Sequence, residues 1–381
     1  MSKIIAIFCD GTWNSPTIPE PTNVDECFKA AAATDTQHTI YISGVGAGKA
    51  GGALRTLVNK IGGGAFGWGL NKRIRQGYEA IVRDYEPGDR IMVFGFSRGA
   101  YTARSLVGMI RKCGIMEKEK LNLLTMNTAF RLYRRGGPEN APDKPHIIAE
   151  RKKLSPRFAT SKADLDSRTG EAHMVNVSFL GVWDTVGSLG LPEPLLGRVA
   201  KFFNRRYQFH DTDLSSMVSA ARHAVALDER RVLFKPSLWS NLGPHRRPDG
   251  TESLGLNQGT TGDQRPFQQL WFIGNHGVVG GSSEMHGLVA IARDWVLEGA
   301  KERGLQTKST AAFSLPNPLE EGNAGSAPGV YDVARSLLEW REGPEDIDDV
   351  HPSVPERVRG VPEYRPETLA LVMEENATRF A

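Results

Sequence analysis

The sequence predicts an α/β fold, a mostly parallel central sheet with helices on both faces. Three observations predict it: short apolar runs recur along the chain, they alternate with segments of helical spacing, and several end in polar or glycine-rich turns. The runs are continuously apolar rather than alternating, as strands buried on both faces must be.

Ile4-Ile5-Ala6-Ile7-Phe8-Cys9 reads as a central strand that stops at Asp10-Gly11-Thr12-Trp13-Asn14. Residues 23–33 suit a short helix, and Thr39-Ile40-Tyr41-Ile42-Ser43 a second strand. The glycine-rich turn that follows, Gly44 to Lys49, is no phosphate loop. Ser43 occupies the first glycine position and Ala50 the metal-binding hydroxyl position, and Lys49 replaces the third glycine of a dinucleotide motif. A loop at the sheet edge is expected there. Segment 51–70 carries Phe66 and Trp68 among many glycines and reads either as an apolar-tipped flap over a site or as a loose connection.

A helix over 71–84 leads to Arg90-Ile91-Met92-Val93-Phe94-Gly95-Phe96, a strand bounded by Pro87-Gly88-Asp89, with helical spacing resuming over 100–110. Residues 115–172 are charged and helical in pattern, broken at Gly136-Gly137-Pro138, and suit a cap or insertion outside the sheet. Val175-Asn176-Val177-Ser178-Phe179-Leu180-Gly181-Val182-Trp183 is the next strand, closed by Asp184-Thr185-Val186-Gly187. Residues 215–226 read as a helix, 241–266 as a polar excursion, and Gln269-Leu270-Trp271-Phe272-Ile273 as the last core strand, followed by Gly274-Asn275-His276-Gly277. An amphipathic helix over 288–301, a second irregular excursion over 306–329 and a late loop with His351-Pro352-Ser353-Val354 complete the chain. No repeat divides it, so 1–381 is expected to form one domain with insertions.

Composition narrows the partners. With 40% hydrophobic and 24% charged residues the chain is an ordinary globular sequence, and a net charge of +3 spread along it argues against nucleic acid. No apolar run reaches the ~18 residues of a membrane span, and Met1-Ser2-Lys3-Ile4-Ile5 leads into a strand rather than a signal peptide. Synthesis and folding in the cytoplasm are expected, with export by a route needing no signal peptide left open. Cys9, Cys27 and Cys113 are too scattered for a disulfide framework and form no C-x-x-C pair.

The residues that carry chemistry sit where strands end. Gly95-x-Ser97-x-Gly99 lies between a strand and a helix, the context a nucleophile elbow requires: small residues let the two elements approach while the serine hydroxyl is exposed on a strained turn. An acyl-transfer serine needs a base, an acid to orient the base, and N–H donors for the oxyanion. Ser97, Asp184 and a later histidine follow the order serine, acid, histidine of the α/β-hydrolase fold. His351, in a late loop, is favoured as base over His276, which follows a core strand; His223 reads as a helix histidine satisfied within the fold. The N–H groups of Arg98 and of Gly11 or Thr12 are the natural oxyanion donors. Asp10 reads as a loop organiser. A metal site built on Asp10, Asp184 and His276 is the minor alternative, pointing to phosphoester hydrolysis; the serine reading needs no cofactor and no metal.

The chain also resembles a known family, the large group of α/β-hydrolase domains that includes one class of type VI secretion phospholipase effectors. The resemblance rests on Phe8-Cys9-Asp10-Gly11-Thr12-Trp13-Asn14, Gly44-Val45-Gly46, Phe66-Gly67-Trp68-Gly69-Leu70, Gly88-Asp89 with Phe94-Gly95-Phe96-Ser97-Arg98-Gly99-Ala100-Tyr101-Thr102-Ala103-Arg104, Gly181-Val182-Trp183-Asp184-Thr185-Val186-Gly187, His223-Ala224-Val225-Ala226-Leu227-Asp228-Glu229-Arg230-Arg231 and His351-Pro352-Ser353-Val354. It implies a Ser-Asp-His esterase or lipase with Ser97 as nucleophile, a small-molecule or lipid ester as substrate with phospholipid foremost, and room for peripheral contact with a membrane. One position departs from the pattern: many members carry H-x-D-V-G-G after the late strand, where this chain has His276-Gly277-Val278-Val279-Gly280-Gly281. Val278 cannot act as an acid, which leaves Asp184 as the best carboxylate. The same departure motivates a further alternative, a hydrolase-fold module that binds without catalysing.

Overall fold

A computed structural model of the chain describes residues 2–11, 20–44, 64–187, 213–246, 250–308, 313–322, 324–325 and 338–381. Six strands form one sheet: β1 Ile4–Cys9, β2 Gln37–Ile42, β3 Arg90–Phe96, β4 Asn176–Trp183, β5 Ala221–Ala226 and β6 Phe267–Phe272. Their order across the sheet is β2-β1-β3-β4-β5-β6, and every pairing is parallel. This is an α/β-hydrolase-like architecture with helices around a parallel sheet. The chain reverses its direction of travel across the sheet between β1 and β3, and the carboxyl ends of strands at such a switch point frame a crevice.

The sheet is buried on both faces because its strands supply apolar side chains to both. In β1 all six residues are buried, with Ile4, Ala6 and Phe8 facing one core and Ile5, Ile7 and Cys9 the other. Each fully buried isoleucine or phenylalanine contributes ~1.5–3 kcal/mol of transfer free energy. The first core is covered by α1 (Asn23–Ala30), by the long helix His286–Glu302 and by C-terminal residues such as Val354 and Val358. The second is covered by α2 (Gly64–Asp84) and α3 (Arg98–Cys113). The fully buried Trp183, at the end of β4, donates its indole N–H to the carbonyl of Ala292 at 3.0 Å, which fixes the helix to the sheet.

Between α3 and β4, α4 (Leu123–Tyr133) and α5 (Pro145–Leu154) pack against the C-terminal half of α3, away from Ser97: the Cys113 thiol contacts the Ala129 carbonyl at 3.1 Å and Arg151 donates to the Lys112 carbonyl at 3.1 Å.

Two local expectations are corrected. Residues 221–226 form the inner strand β5 rather than the end of a helix. The alanines of Ala221-Arg222-His223-Ala224-Val225-Ala226 favour a helix in isolation, but the slot between β4 and β6 imposes extended pairing, and small side chains fit it. The helix expected over 71–84 begins at Gly64, so the last part of the glycine-rich 51–70 segment is helical. The remainder of that segment, the loop after Gly44 and Thr12 to Pro19 lie outside the described residues.

Candidate active site

The parallel register brings the strand ends level. Gly95 pairs with Cys9, Phe96 with Trp183, and Trp183 with Ala224, so Asp10, Ser97 and Asp184 emerge along one carboxyl edge. Three non-glycine residues among those described have positive φ, and two of them are Ser97 (φ 57°) and Asp184 (φ 36°). Strained backbone of this kind persists where surrounding structure over-determines it and clusters at functional sites.

At Ser97 the glycines explain how the turn is possible. A Cβ on Gly95 would meet the Gly99 carbonyl oxygen at 2.5 Å, and one on Gly99 would meet the Cys9 carbonyl oxygen at 2.1 Å, closer than any side chain can approach. Glycine at both positions therefore lets β3 turn directly into α3 beside β1. Gly99→Ala should destabilise the protein by ~3 kcal/mol through this clash with backbone, which cannot move away as a side chain could. Chemical denaturation measures it, and a change under ~0.5 kcal/mol would contradict the close approach.

The Ser97 hydroxyl lies 2.8 Å from His276 Nε2, and His276 Nδ1 lies 2.6 Å from Asp184 Oδ2. An ionised carboxylate accepts the Nδ1–H, which leaves the Nε2 lone pair to accept the serine proton. All three residues are buried.

His276 is the first residue of a short helix, His276–Gly280, whose N-cap Asn275 accepts from the N–H groups of Gly277 and Val278. The ring is held between Phe96 and Phe234, with centroids 4.7 and 4.8 Å away. Gly280 is needed for this packing, since a Cβ there would lie 1.9 Å from the Phe96 ring. The backbone N–H of His276 donates to Glu229 Oε2 at 3.1 Å, and Arg231 in turn holds Glu229 through its Nε at 2.7 Å and Nη2 at 2.6 Å.

Asp184 is more densely bonded than a turn-capping carboxylate. Oδ1 accepts from the Ala226 N–H at 3.0 Å and from Arg341 Nη1 at 2.7 Å, and Oδ2 accepts from Arg341 Nη2 at 2.9 Å as well as from His276. Burial would push this carboxyl up, but the Arg341 charge and the bonds from His276 and Arg341 outweigh it and hold Asp184 well below the usual carboxylate range. Burial likewise pushes His276 down, and the attraction of Asp184 and Glu229 only partly restores it.

His351, the favoured base at the sequence level, is not brought to Ser97. Its ring stacks on Phe272 with centroids 4.4 Å apart, and its Nδ1 contacts the Ser353 hydroxyl at 2.8 Å. His276 takes the place beside the serine because a single turn after β6 carries it to the strand ends, a path that chain order did not distinguish. His223, now on a strand, is satisfied by Gln269 Oε1 at 2.9 Å on Nδ1 and by the Thr185 N–H at 3.2 Å on Nε2.

Asp10 organises the loop it opens. Its carboxylate accepts from the N–H of Gly11 at 2.6 Å, from the Thr22 hydroxyl at 2.9 Å and from the Tyr41 hydroxyl. Thr22 also caps α1, accepting from the Asp25 N–H at 3.1 Å. Gly11, one of the expected oxyanion donors, thus has its N–H turned to Asp10. Thr12 lies outside the described residues, and Arg98 opens α3, where helix geometry turns backbone N–H groups toward an anion. The metal set weighed from sequence does not assemble: Asp184 and His276 face each other, whereas Asp10 faces Thr22 and Tyr41.

Arg341, Glu229 and Phe234 were not singled out from sequence as parts of the site. Glu229 had a signal, since Asp228-Glu229-Arg230-Arg231 follows a strand end. Arg341 had none, because it lies more than 150 positions from Asp184 in an aperiodic segment.

Buried neutral histidines make stability depend on pH. Burial and Arg104 push His223 down to about 3, and burial and Arg222 push His351 down to about 4. Unfolded, both return to ~6.5, so below that pH the unfolded chain binds protons the folded one refuses, and each histidine removes ~1.4 kcal/mol per pH unit. Asp228, pushed up to about 6 by burial, acts oppositely because it keeps its proton longer in the folded state. Asp10 and Asp349, also pushed up by burial, act with Asp228, and His276, pushed down, acts with the other two histidines; the displacements of His223 and His351 are the larger ones, so the melting temperature should fall between pH 6.5 and 4. A flat or rising calorimetric profile would contradict it.

A family model for the catalytic domain of Tle1-like phospholipase effectors of type VI secretion matches residues 3–299. The chain belongs to that family. Over 170 residues, 45% of its length, this Tle1-like chain is 31% identical to an uncharacterised protein of Saccharomyces cerevisiae, and it spans about a fifth (21%) of the length of that curated relative. The solved structures it is similar to include two. One is an uncharacterised protein of Pseudomonas aeruginosa, at 15% identity and TM-score 0.41, covering 81% of this chain and 46% of that one. The other is the Tle1 effector bound to the VgrG spike of the type VI secretion system, at 13% identity and TM-score 0.43, covering 84% and 77%. No helix among the described residues is long and apolar enough to cross a membrane.

Proposed function

We propose that this Tle1-like domain is a serine hydrolase that cleaves the carboxylic ester of a phospholipid through an acyl-Ser97 intermediate. The observation that carries the reading is the continuous hydrogen-bonded line from Ser97 through His276 to Asp184 on a strand–turn–helix elbow. Family membership supplies the substrate class.

In this reading the Ser97 oxygen attacks the ester carbonyl carbon while its proton passes to His276 Nε2. The oxyanion that forms lies at the N-terminus of α3, where the Arg98 N–H is proposed as one donor. Asp184 stabilises the imidazolium through Nδ1 without taking the proton. Collapse expels the alcohol, the lysophospholipid, which leaves with the proton from His276. Water, deprotonated by the same nitrogen, then releases the fatty acid and restores the serine.

The test joins two measurements on the wild-type protein: covalent labelling by a fluorophosphonate probe, and release of fatty acid from phosphatidylethanolamine and phosphatidylglycerol vesicles. Labelling with release supports the reading. Labelling without release keeps the serine chemistry and removes phospholipid as substrate, and absence of both removes the hydrolase.

A further inference from the structure

Beyond residue 299, where the family match ends, the chain returns to the site and places one guanidinium on it. Arg341 has its side chain 5% exposed and forks onto both oxygens of Asp184 at 2.7 and 2.9 Å. Its two terminal nitrogens are also tied to the sheet edge, Nη1 to the Ala226 carbonyl at 2.8 Å and Nη2 to the Phe234 carbonyl at 2.5 Å. The Ala226 N–H donates to the same Asp184 carboxylate, and Phe234 packs on the His276 ring. Arg341 therefore bonds the acid, one residue whose N–H also supports the acid, and one wall of the base, and among the described residues no hydrogen bond joins it to Ser97 or to the imidazole.

We infer that Arg341 is a positioning residue that fixes Asp184 and, by neutralising it, keeps His276 unprotonated down to lower pH than a bare aspartate–histidine pair would. The inference rests on the serine-hydrolase reading for its catalytic meaning, though not for its electrostatics. A lone aspartate beside an imidazole stabilises the protonated ring and raises its pKa. A guanidinium locked on that aspartate cancels much of the attraction, and a bidentate fork also fixes the carboxylate plane, which a single point charge would not. The other charged groups facing His276 are Glu229, which accepts from its backbone N–H and draws its proton more tightly, and Arg231, which holds Glu229 and offsets part of that pull. Both stay in place when Arg341 is removed, so what changes is Asp184, left without its guanidinium next to the ring.

The test compares full-length wild type with Arg341→Met, Arg341→Gln and Arg341→Lys. Histidine-labelled NMR follows the titration of His276 directly, assigned by its loss in His276→Gln, and pH profiles of kcat and KM are recorded alongside. In R341M the His276 titration and the acid limb of kcat/KM should both move up by ~1 pH unit. Activity at pH ~6 should drop at least ~10-fold, mostly in kcat, and recover in part above pH ~8. R341Q keeps a group able to reach the backbone carbonyls and should fold where R341M does not, with the same upward shift. R341K restores the charge and should return the titration toward wild type.

An unshifted His276 titration in a folded R341M or R341Q overturns the inference and leaves Arg341 as a structural tie. A melting temperature lowered with no change in the profile does the same. Because the titration is read without turnover, a wild type that neither labels with a fluorophosphonate nor releases fatty acid would defeat the hydrolase reading and leave this comparison able to decide the role of Arg341.

Discussion

Ser97→Ala should abolish fluorophosphonate labelling and lower kcat for ester hydrolysis by ~10³-fold or more, with the fold intact. The expectation follows from how little else the substitution touches. Ser97 sits at φ 57°, held there by the close approach of Gly95 and Gly99 to neighbouring backbone. Alanine meets the same backbone constraint as serine, so the turn and its strain are unchanged. The N–H of residue 97 still donates to the Trp183 carbonyl and its own carbonyl still accepts from Tyr101. What disappears is one oxygen and its 2.8 Å bond to His276. Circular dichroism and melting temperature should match wild type to within the effect of one hydrogen bond, ~1 kcal/mol. Undiminished labelling of a well-folded variant would take Ser97 out of the mechanism.

The second large effect separates two histidines that look alike in the sequence. His276→Ala should lower kcat by ~10³-fold or more at pH 7, because it removes the imidazole that bonds both the Ser97 hydroxyl and Asp184 and is proposed as the base. His351→Ala should leave kcat within a few-fold of wild type. Its ring packs on Phe272 and its nitrogen on Ser353, so its loss is one of packing, and it should appear as a destabilisation of ~2 kcal/mol. Both variants are assayed on the same short-chain ester and melted under the same conditions. The reverse pattern, an inactive His351→Ala beside an active His276→Ala, would mean that the contact between Ser97 and His276 is not the catalytic one.

Much of this site is legible in the sequence. The strand-closing signatures at Asp10, Ser97 and Asp184 predicted residues gathered at one sheet edge, and the parallel register does gather them there. Gly95 and Gly99 bracket the serine because the backbone tolerates no Cβ at either place, a local requirement that a short motif can record. The role expected of Asp10 as a loop organiser was also readable, since a buried carboxylate at a strand end with free N–H groups ahead of it has few other partners.

The choice of base was not legible, because chain order allows any later histidine and only the turn after β6 decides which ring arrives beside the serine. Strand β5 was missed for a related reason: its alanines favour a helix until β4 and β6 offer hydrogen bonds on either side. Arg341 was invisible, and its bearing on Asp184 exists only because a segment beyond the family match folds back over the sheet edge.

By itself the sequence determined the layered architecture and the serine elbow, since both follow from interactions among residues close in the chain: burial pattern, turn chemistry and the steric need for glycine. Only the tertiary structure decided the partners of Ser97 and of Asp184. Hydrogen bonds and charge pairs act over about 3 Å of space, and residues 179, 92 and 157 positions apart come within that distance only once the sheet has set its register.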